Sequence, residues 1–290
     1  MGVRSSNVGA ETMEMRRWRF LDTGKENAFF NMALDEALVR AVHDHTTPPS
    51  IRVYEWHPRA ITCGYSQDVG SMIDLARCTA EGVDVTRRLT GGRAVFHDDE
   101  LGYSVVGLVD DPRFGGSIRD TFQSIGRVLV SGLNALDIPA ELSRGERTGG
   151  SSGRSLPCFL TTARYEITVD GHKIVGSAQC RFAGVFLQQG SILTGPGQDR
   201  LLKYLINPGL PVRDRGKHVG RRFYTLSGMT GNTARATLKE TLFTSFDAAV
   251  GGHCERVSPT QAELDDTERF IRERYASKGW ILGHEQKPRV

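Results

Sequence analysis

Arg87-Arg88-Leu89-Thr90-Gly91-Gly92-Arg93-Ala94-Val95-Phe96-His97-Asp98 is the stretch from which the rest of the chain is read. Two arginines, a Gly-Gly turn and an apolar run ending in histidine form a corner that passes from polar to apolar. Glycines at such a turn let the backbone take φ > 0 and let another group approach the main chain closely. Arginines just before it can hold a carboxylate, a phosphate or an amide oxygen in a fork. A β-hairpin with two exposed arginines also accounts for these residues. The surrounding chain has to decide.

Upstream, Val83 to Arg88 reads as the strand that delivers the corner, and Asp74 to Glu81 as a helix before it. Ile51 to Trp56 and Ala60 to Gly64 read as short strands joined by a turn at His57-Pro58. Trp18 to Leu21 is expected to be a first strand. Asn31 is expected to cap a helix through about His43, with Leu34, Ala37, Leu38, Ala41 and Val42 on its apolar face. Downstream, Tyr103 to Val109 is a β-rich apolar run, as in a buried strand. Ser117 to Leu136 is the clearest helix, with Ile118, Phe122, Ile125, Leu129, Leu133 and Leu136 on one face. Arg144 to Ser155, rich in Gly, Ser and Arg, is expected to be a mobile loop.

Asp170-Gly171 between two β-prone runs signals a tight hairpin. A two-residue turn there sets Ile167 opposite Ile174 and Thr168 opposite Lys173. Val185 to Ile192 continues the meander. Beyond Leu205, the run Arg213 to Arg222 is strongly basic, and Thr237 to Val250 reads as an amphipathic helix. A last helix is expected from Ser258-Pro259-Thr260-Gln261, with Ser258 as cap, to about Tyr275. No internal repeat or linker divides the chain. The expectation is an α+β fold, with a tail over residues 1–14, one domain over 15–285 and a helical C-terminal segment from about 236.

The chain has 290 residues, 39% hydrophobic and 24% charged, which describes an ordinary globular protein with ample core. A net charge of +3 and the absence of a recognisable motif argue against nucleic-acid binding. No apolar run is long enough to span a bilayer. Met1-Gly2-Val3-Arg4-Ser5-Ser6 matches a short myristoylation pattern, but no signal-peptide core follows. Five irregularly spaced cysteines fit a reducing compartment, so a cytoplasmic location is expected. Cys/His spacing gives no metal site.

Asn31-Met32-Ala33-Leu34-Asp35-Glu36-Ala37, Gly64-Tyr65-Ser66-Gln67, the Arg87 to Asp98 stretch and Lys173-Ile174-Val175-Gly176-Ser177-Ala178-Gln179 occur in that order. They resemble the ordered motifs of the lipoate-protein ligase and octanoyltransferase family, across nearly the whole chain. The resemblance implies the biotin/lipoate protein ligase fold: a larger and a smaller mixed β-sheet packed with helices. It also implies chemistry on one lysine of a lipoyl carrier domain, in a glycine cleavage H protein or the E2 component of a 2-oxoacid dehydrogenase.

Family members follow two routes: ligases activate lipoate with ATP, whereas one branch takes octanoyl from acyl carrier protein through a cysteine. Pro157-Cys158-Phe159, upstream of Lys173, resembles the cysteine branch, as does the ending Tyr275-Ala276-Ser277-Lys278-Gly279-Trp280. Leu160 to Arg164 and Arg93 depart from the family pattern. The implied catalytic pair is Cys158 and Lys173, the ammonium favouring the nucleophilic thiolate. The implied substrate-binding residues are Arg88, Gly91, Gly92, Arg93, Ala94, Val95, His97, Gly176, Ser177 and Ala178. Main-chain N–H groups at Gly91 to Val95 or around Gly176 are candidates for an oxyanion site.

Read without the family, Cys158 fits a buried structural thiol first and a catalytic one second, Lys173 a solvated strand lysine and His97 a structural histidine. Cys63, Cys78, Cys180 and Cys254 keep the structural reading. The basic run Arg213 to Arg222 is either a solvated loop or a docking patch for acidic carriers. The implied reaction is octanoyl transfer from octanoyl-acyl carrier protein to a lipoyl domain, with no cofactor. Its rivals are amidotransfer between carriers and lipoate ligation, of which only the last needs ATP and magnesium.

Overall fold

The computed structural model describes residues 17–143, 166–206, 226 and 232–288. The expected tail at 1–14, the Arg144 to Ser155 loop, Cys158 and the basic run Arg213 to Arg222 lie outside the described residues.

Two mixed sheets organise the chain. In order of sequence the strands are β1 (Trp18–Glu26), β2 (Ser50–Trp56), β3 (Ala60–Cys63), β4 (Asp84–Arg87), β5 (Val95–His97) and β6 (Glu100–Leu108). They continue with β7 (Ala140–Leu142), β8 (Ile167–Val169), β9 (His172–Phe182), β10 (Val185–Leu193) and β11 (Cys254–Arg256). The large sheet runs β11-β1-β2-β6-β10-β9-β8-β7 and the small one β4-β3-β5. Strands β11, β1 and β2 are parallel, and the strands from β2 onward alternate.

The corner stretch is therefore not a hairpin. Strand β3 separates its two halves, with β4 parallel on one side and β5 antiparallel on the other. Neither arginine is exposed: Arg87 and Arg88 are both buried.

One face of the large sheet is covered by helix α4 (Ile118–Asn134) and helix α5 (Asn232–Ala249). Ser117 caps α4 in a reciprocal box with Asp120. Ile125, Leu129 and Leu133 are fully buried, as their spacing predicts, at about 1.5–3 kcal/mol each. Ile118 departs from that prediction and is exposed, at the first residue of the helix. The two helices come close at Gly132, where a Cβ would lie 3.1 Å from Ser245 Oγ.

The other face is covered by helix α1 (Ala28–His43), helix α6 (Gln261–Phe270), a π turn over Ile271–Tyr275 and helix α7 (Lys278–Leu282). Helix α1 starts earlier than its apolar spacing suggests. Asn27 caps it, accepting from Phe30 N–H at 2.9 Å. Asn31 is instead buried inside the helix, donating to the carbonyls of Glu26 and Glu55 and accepting from Arg52. A tertiary partner thus takes the residue that local pattern assigns to a cap.

The same holds for α6, whose cap is Thr260 and not Ser258. Glu263 completes that box and also binds Arg19 of β1, at 2.6 and 3.1 Å. Strand β11, in a segment expected to be only helical, pairs with β1 at the sheet edge. The small sheet packs on helices α2 (Val69–Met72) and α3 (Leu75–Ala80) and on a 3₁₀ turn at Gln198–Tyr204. Asp74 caps α3, at the start of the expected helix. Among the described residues no helix is long and apolar enough to cross a membrane.

At the Asp170-Gly171 turn both residues have positive φ, +50° and +74°, as a tight hairpin requires. Thr168 lies opposite Lys173 as expected. An irregularity follows it, so Ile167 pairs with Val175 and not with Ile174. Both Lys173 and Ile174 are buried as a result.

Candidate active site

The adjacent arginines of the corner bind in different places. Arg87 reaches to the C-terminal end of the chain, where Nε donates to the carbonyl of Trp280 at 3.0 Å and Nη2 to that of Ile281 at 3.1 Å. Its Nη1 bonds the carbonyl of Tyr65. The Trp280 indole N–H returns a bond to the Arg87 carbonyl at 2.9 Å.

Arg88 turns to the Gly-Gly loop. Its Nη1 donates to the Thr62 carbonyl and hydroxyl at 2.8 and 2.9 Å, and its Nη2 to the carbonyls of Gly91 and Arg93, both at 2.9 Å. Nε reaches Thr90 Oγ1 at 3.3 Å. The five N–H groups are thus matched by five acceptors of the protein itself. The fork does hold amide oxygens, but they belong to the turn.

Gly92 has φ +94°, and its carbonyl lies so close to Gly64 that a Cβ there would come within 2.0 Å of it. This contact joins the Gly64-Tyr65-Ser66-Gln67 motif to the corner. Tyr65 N–H adds a bond to the Thr90 carbonyl at 3.0 Å.

A cleft opens beside the turn, with about 430 Å³ of empty space including its open mouth. Among the described residues its apolar walls are Met32, Tyr54, Trp56 and Val95, with Gly176, Ala178 and Gly190 as small elements. Thr62, Arg88, His97, Ser177, Gln189 and Ser191 contribute polar groups. The structure thus brings six predicted residues to one cavity: Arg88, Val95, His97, Gly176, Ser177 and Ala178. Gly91, Gly92 and Arg93 shape the adjoining turn and are not among the lining residues. Ala94 is buried with the small-sheet core.

His97 is held on both nitrogens and one face. Nδ1 lies 2.6 Å from Glu100 Oε1, and Nε2 lies 2.6 Å from Thr62 Oγ1. With a neutral ring, Nδ1–H donates to Glu100 and Nε2 accepts the Thr62 hydroxyl, whose oxygen accepts from Arg88. Glu100 also accepts from Ser191 at 2.7 Å and Gln198 at 3.3 Å. Trp56 stacks on the imidazole at 3.9 Å between centroids. His97 is thus held in place as a wall of the pocket.

Below it, Gln189 donates to Asp35 Oδ2 at 3.1 Å and accepts from Thr90 at 3.0 Å. Asp35 also accepts from Arg52 at 2.8 Å and Ser104 at 2.7 Å. Burial pushes the Asp35 carboxyl above its usual range despite the Arg52 charge. The Arg52 guanidinium lies 4.2 Å over the Tyr54 ring. That ring fills the space that a Gly102 side chain would need, 2.5 Å from its Cβ position.

Lys173 stands three residues before Gly176 on β9, buried and ion-paired with Glu166. It is not a solvated strand lysine; the carboxylate supplies the counter-charge its burial needs. Cys158 lies outside the described residues. Burial pushes the other thiols up, Cys63 to about 11 and Cys78, Cys180 and Cys254 to about 12.

Sequence reasoning did not find Thr62, Glu100, Trp56, Gln189 or Asp35. Two of these left a trace: an acid on an otherwise apolar helix at Leu34-Asp35-Glu36-Ala37, and an acid three residues after His97. Among the described residues no cluster of three His, Cys, Asp or Glu is arranged to hold a metal ion.

A large and a small mixed sheet packed with helices is also the arrangement of solved lipoate-protein ligases. A bi-partite lipoate protein ligase from Thermoplasma acidophilum superposes with a TM-score of 0.74 at 23% identity, over 94% of this chain and 99% of that one. A lipoate-protein ligase A bound with ATP gives 0.71 at 25% identity, over 92% and 98%.

The sequence model of the Lipoyl protein ligase A/B catalytic domain matches residues 27–247, and the chain belongs to that family. Octanoyltransferase LipM of Moorella thermoacetica is 36% identical over 274 residues, covering 93% of this chain and 99% of its own. Octanoyltransferase LipM of Bacillus subtilis is 33% identical over 278 residues, covering 92% and 99%.

Proposed function

We propose that this protein is an octanoyltransferase of protein lipoylation that works through a thioester on Cys158, with Lys173 as its charge partner. The observation that carries the activity is the match to octanoyltransferases over nine-tenths of the chain and nearly all of theirs. The pocket suits it, since apolar walls beside the Gly176 to Ala178 segment accept a short acyl chain with its carbonyl toward β9.

In the first step the Cys158 thiolate attacks the carbonyl carbon of octanoyl-acyl carrier protein. A C–S bond forms to Cys158, the C–S bond to the carrier breaks, and the departing thiolate takes up a proton. In the second, the amine of a lipoyl-domain lysine attacks that carbon. A C–N bond forms, the bond to Cys158 breaks, and an amine proton is released. A thioester is already activated, so this reading calls for neither ATP nor metal.

The four described cysteines, with pKa values pushed to about 11 or 12, are poor nucleophiles near neutral pH. This favours Cys158 as the acylated thiol. Free cysteines at these four positions suit a cytoplasmic protein. The acceptor is the lipoyl domain of a glycine cleavage H protein or of a dehydrogenase E2 component.

A second reading, ATP-dependent ligation of lipoate, draws on the ATP-bound fold neighbour. Intact-protein mass spectrometry with octanoyl-acyl carrier protein and no ATP separates the two. The expected result is one octanoyl adduct on the wild type and none on Cys158→Ala. Absence of the adduct, with carrier labelling only from free acid and ATP, would establish the ligase.

A further inference from the structure

A directed chain of hydrogen bonds crosses the sheet and ends at the pocket. Arg181 Nε lies 3.2 Å from Gln179 Oε1, and Gln179 Nε2 lies 3.1 Å from Gln188 Oε1. Gln188 Nε2 then lies 3.3 Å from the Tyr103 hydroxyl, which lies 2.6 Å from Ser177 Oγ.

The direction of this chain follows from chemistry. A guanidinium has donors only, so the group that Arg181 meets on Gln179 must be the amide oxygen. The Gln179 NH₂ end must then face Gln188, which presents its oxygen to it and its own NH₂ to Tyr103. The Tyr103 oxygen therefore accepts from Gln188, and among the described residues Ser177 Oγ is the acceptor within reach of its own proton. Burial pushes the Tyr103 phenol above its usual range, so it keeps that proton. Arg181 is itself anchored, donating through Nη2 to Thr121 Oγ1 at 3.2 Å.

The consequence falls on Ser177. With the phenol proton on Ser177 Oγ, one lone pair of the serine is occupied and its own proton is directed away from Tyr103. Among the described residues, Tyr103 is its hydrogen-bond partner. Ser177 is half-buried and lines the pocket. Gly190, directly opposite on β10, leaves space for the Tyr103 ring, which lies 2.6 Å from where a Gly190 Cβ would be. A hydroxyl that receives a hydrogen bond is a stronger donor, because the chain polarises it.

We propose that the Ser177 hydroxyl is an oriented donor to the carbonyl oxygen of the bound acyl group. It gains strength as that oxygen becomes an oxyanion, and Tyr103, Gln188, Gln179 and Arg181 are the positioning residues behind it. The inference rests on the thioester route above. It differs from a main-chain oxyanion site in naming a side chain that can be removed.

The test follows the rate of octanoyl adduct formation from octanoyl-acyl carrier protein in the wild type, Ser177→Ala, Ser177→Thr and Tyr103→Phe, with thermal unfolding in parallel. Wild-type acylation on Cys158 is the reference; if no adduct forms there, the thioester route fails. Given that adduct, Ser177→Ala is expected to lower kcat by about 10²-fold with KM nearly unchanged, the size seen when one oxyanion donor is removed. Ser177→Thr, which keeps the hydroxyl, should recover most of the rate. Tyr103→Phe should fall between, because the hydroxyl remains but is no longer oriented. Ser177→Ala acylation within twofold of the wild type overturns the proposal, as does a change confined to KM. If Ser177→Ala does not fold, wild-type kcat in Tyr103→Phe has the same force.

Discussion

Replacing Arg88 by methionine keeps much of the side chain's length and removes all five of its donors. Two acceptors are on Thr62, which is fully buried, and each loses its partner without water to replace it, at about 1–3 kcal/mol. The Gly91 and Arg93 carbonyls lie on half-buried residues and can turn to water, so they lose about 0.5–1 kcal/mol each. No longer burying a guanidinium offsets part of this. The net expectation is a loss of about 3 kcal/mol, read as a Tm drop of about 5–10 °C or as a lower urea midpoint at unchanged slope.

Arg88→Lys should recover roughly half, since an ammonium has three donors and cannot reach both Thr62 and the turn. The assay is urea unfolding beside steady-state transfer on the same preparations. Lost activity with an unchanged midpoint in either variant would refute the reasoning. It would mean that the guanidinium serves the substrate and not the turn.

Two further outcomes follow from the site and its surroundings. Limited alkylation near neutral pH should label Cys158 alone, because thiols with pKa values of about 11 and 12 have thiolate fractions below about 10⁻³; a peptide map with Cys180 or Cys254 labelled at a comparable rate would contradict this. Glu81 is held at about 2 by bonds from Lys203 and Tyr204. A depressed carboxylate stabilises the fold above its unfolded pKa of 4.5 and loses that contribution as pH falls toward 2. Unfolding midpoints across that window should fall more steeply for the wild type than for Glu81→Gln, and parallel curves would remove the role assigned to Glu81.

What could be read before folding was local. The helix start at Ser117, the Asp170-Gly171 turn and the helical spacing of Ile125, Leu129 and Leu133 depend on neighbours a few residues away, and each stands where its pattern puts it. The family motifs brought His97 and the Gly176 to Ala178 segment to the site for the same reason: they are short and contiguous. What was hidden depends on distant partners. Asn31 reads as a cap until Arg52 and the Glu55 carbonyl are beside it, and Thr260 is fixed as a cap partly by what Arg19 does to Glu263.

The arginine pair was legible as two forks but not in its targets, since the carbonyls it binds have no signature of their own. Glu100 and Thr62 become partners of His97 only because β3 pairs with β5 and β6 follows within three residues. Strand β11 is three residues long, too short for any periodicity, and exists because β1 has an open edge.

The bonds from Arg87 to the carbonyls of Trp280 and Ile281 also set an order of events during synthesis. A ribosome makes Arg87 193 residues before Trp280, the first of the carbonyls that anchor it. A buried guanidinium without acceptors is costly, so the corner has no finished form while the later residues are still being added. Nascent chains therefore carry the motif before the anchor of its first arginine is in place. The corner is complete only once Trp280 and Ile281 have been made and have docked on Arg87.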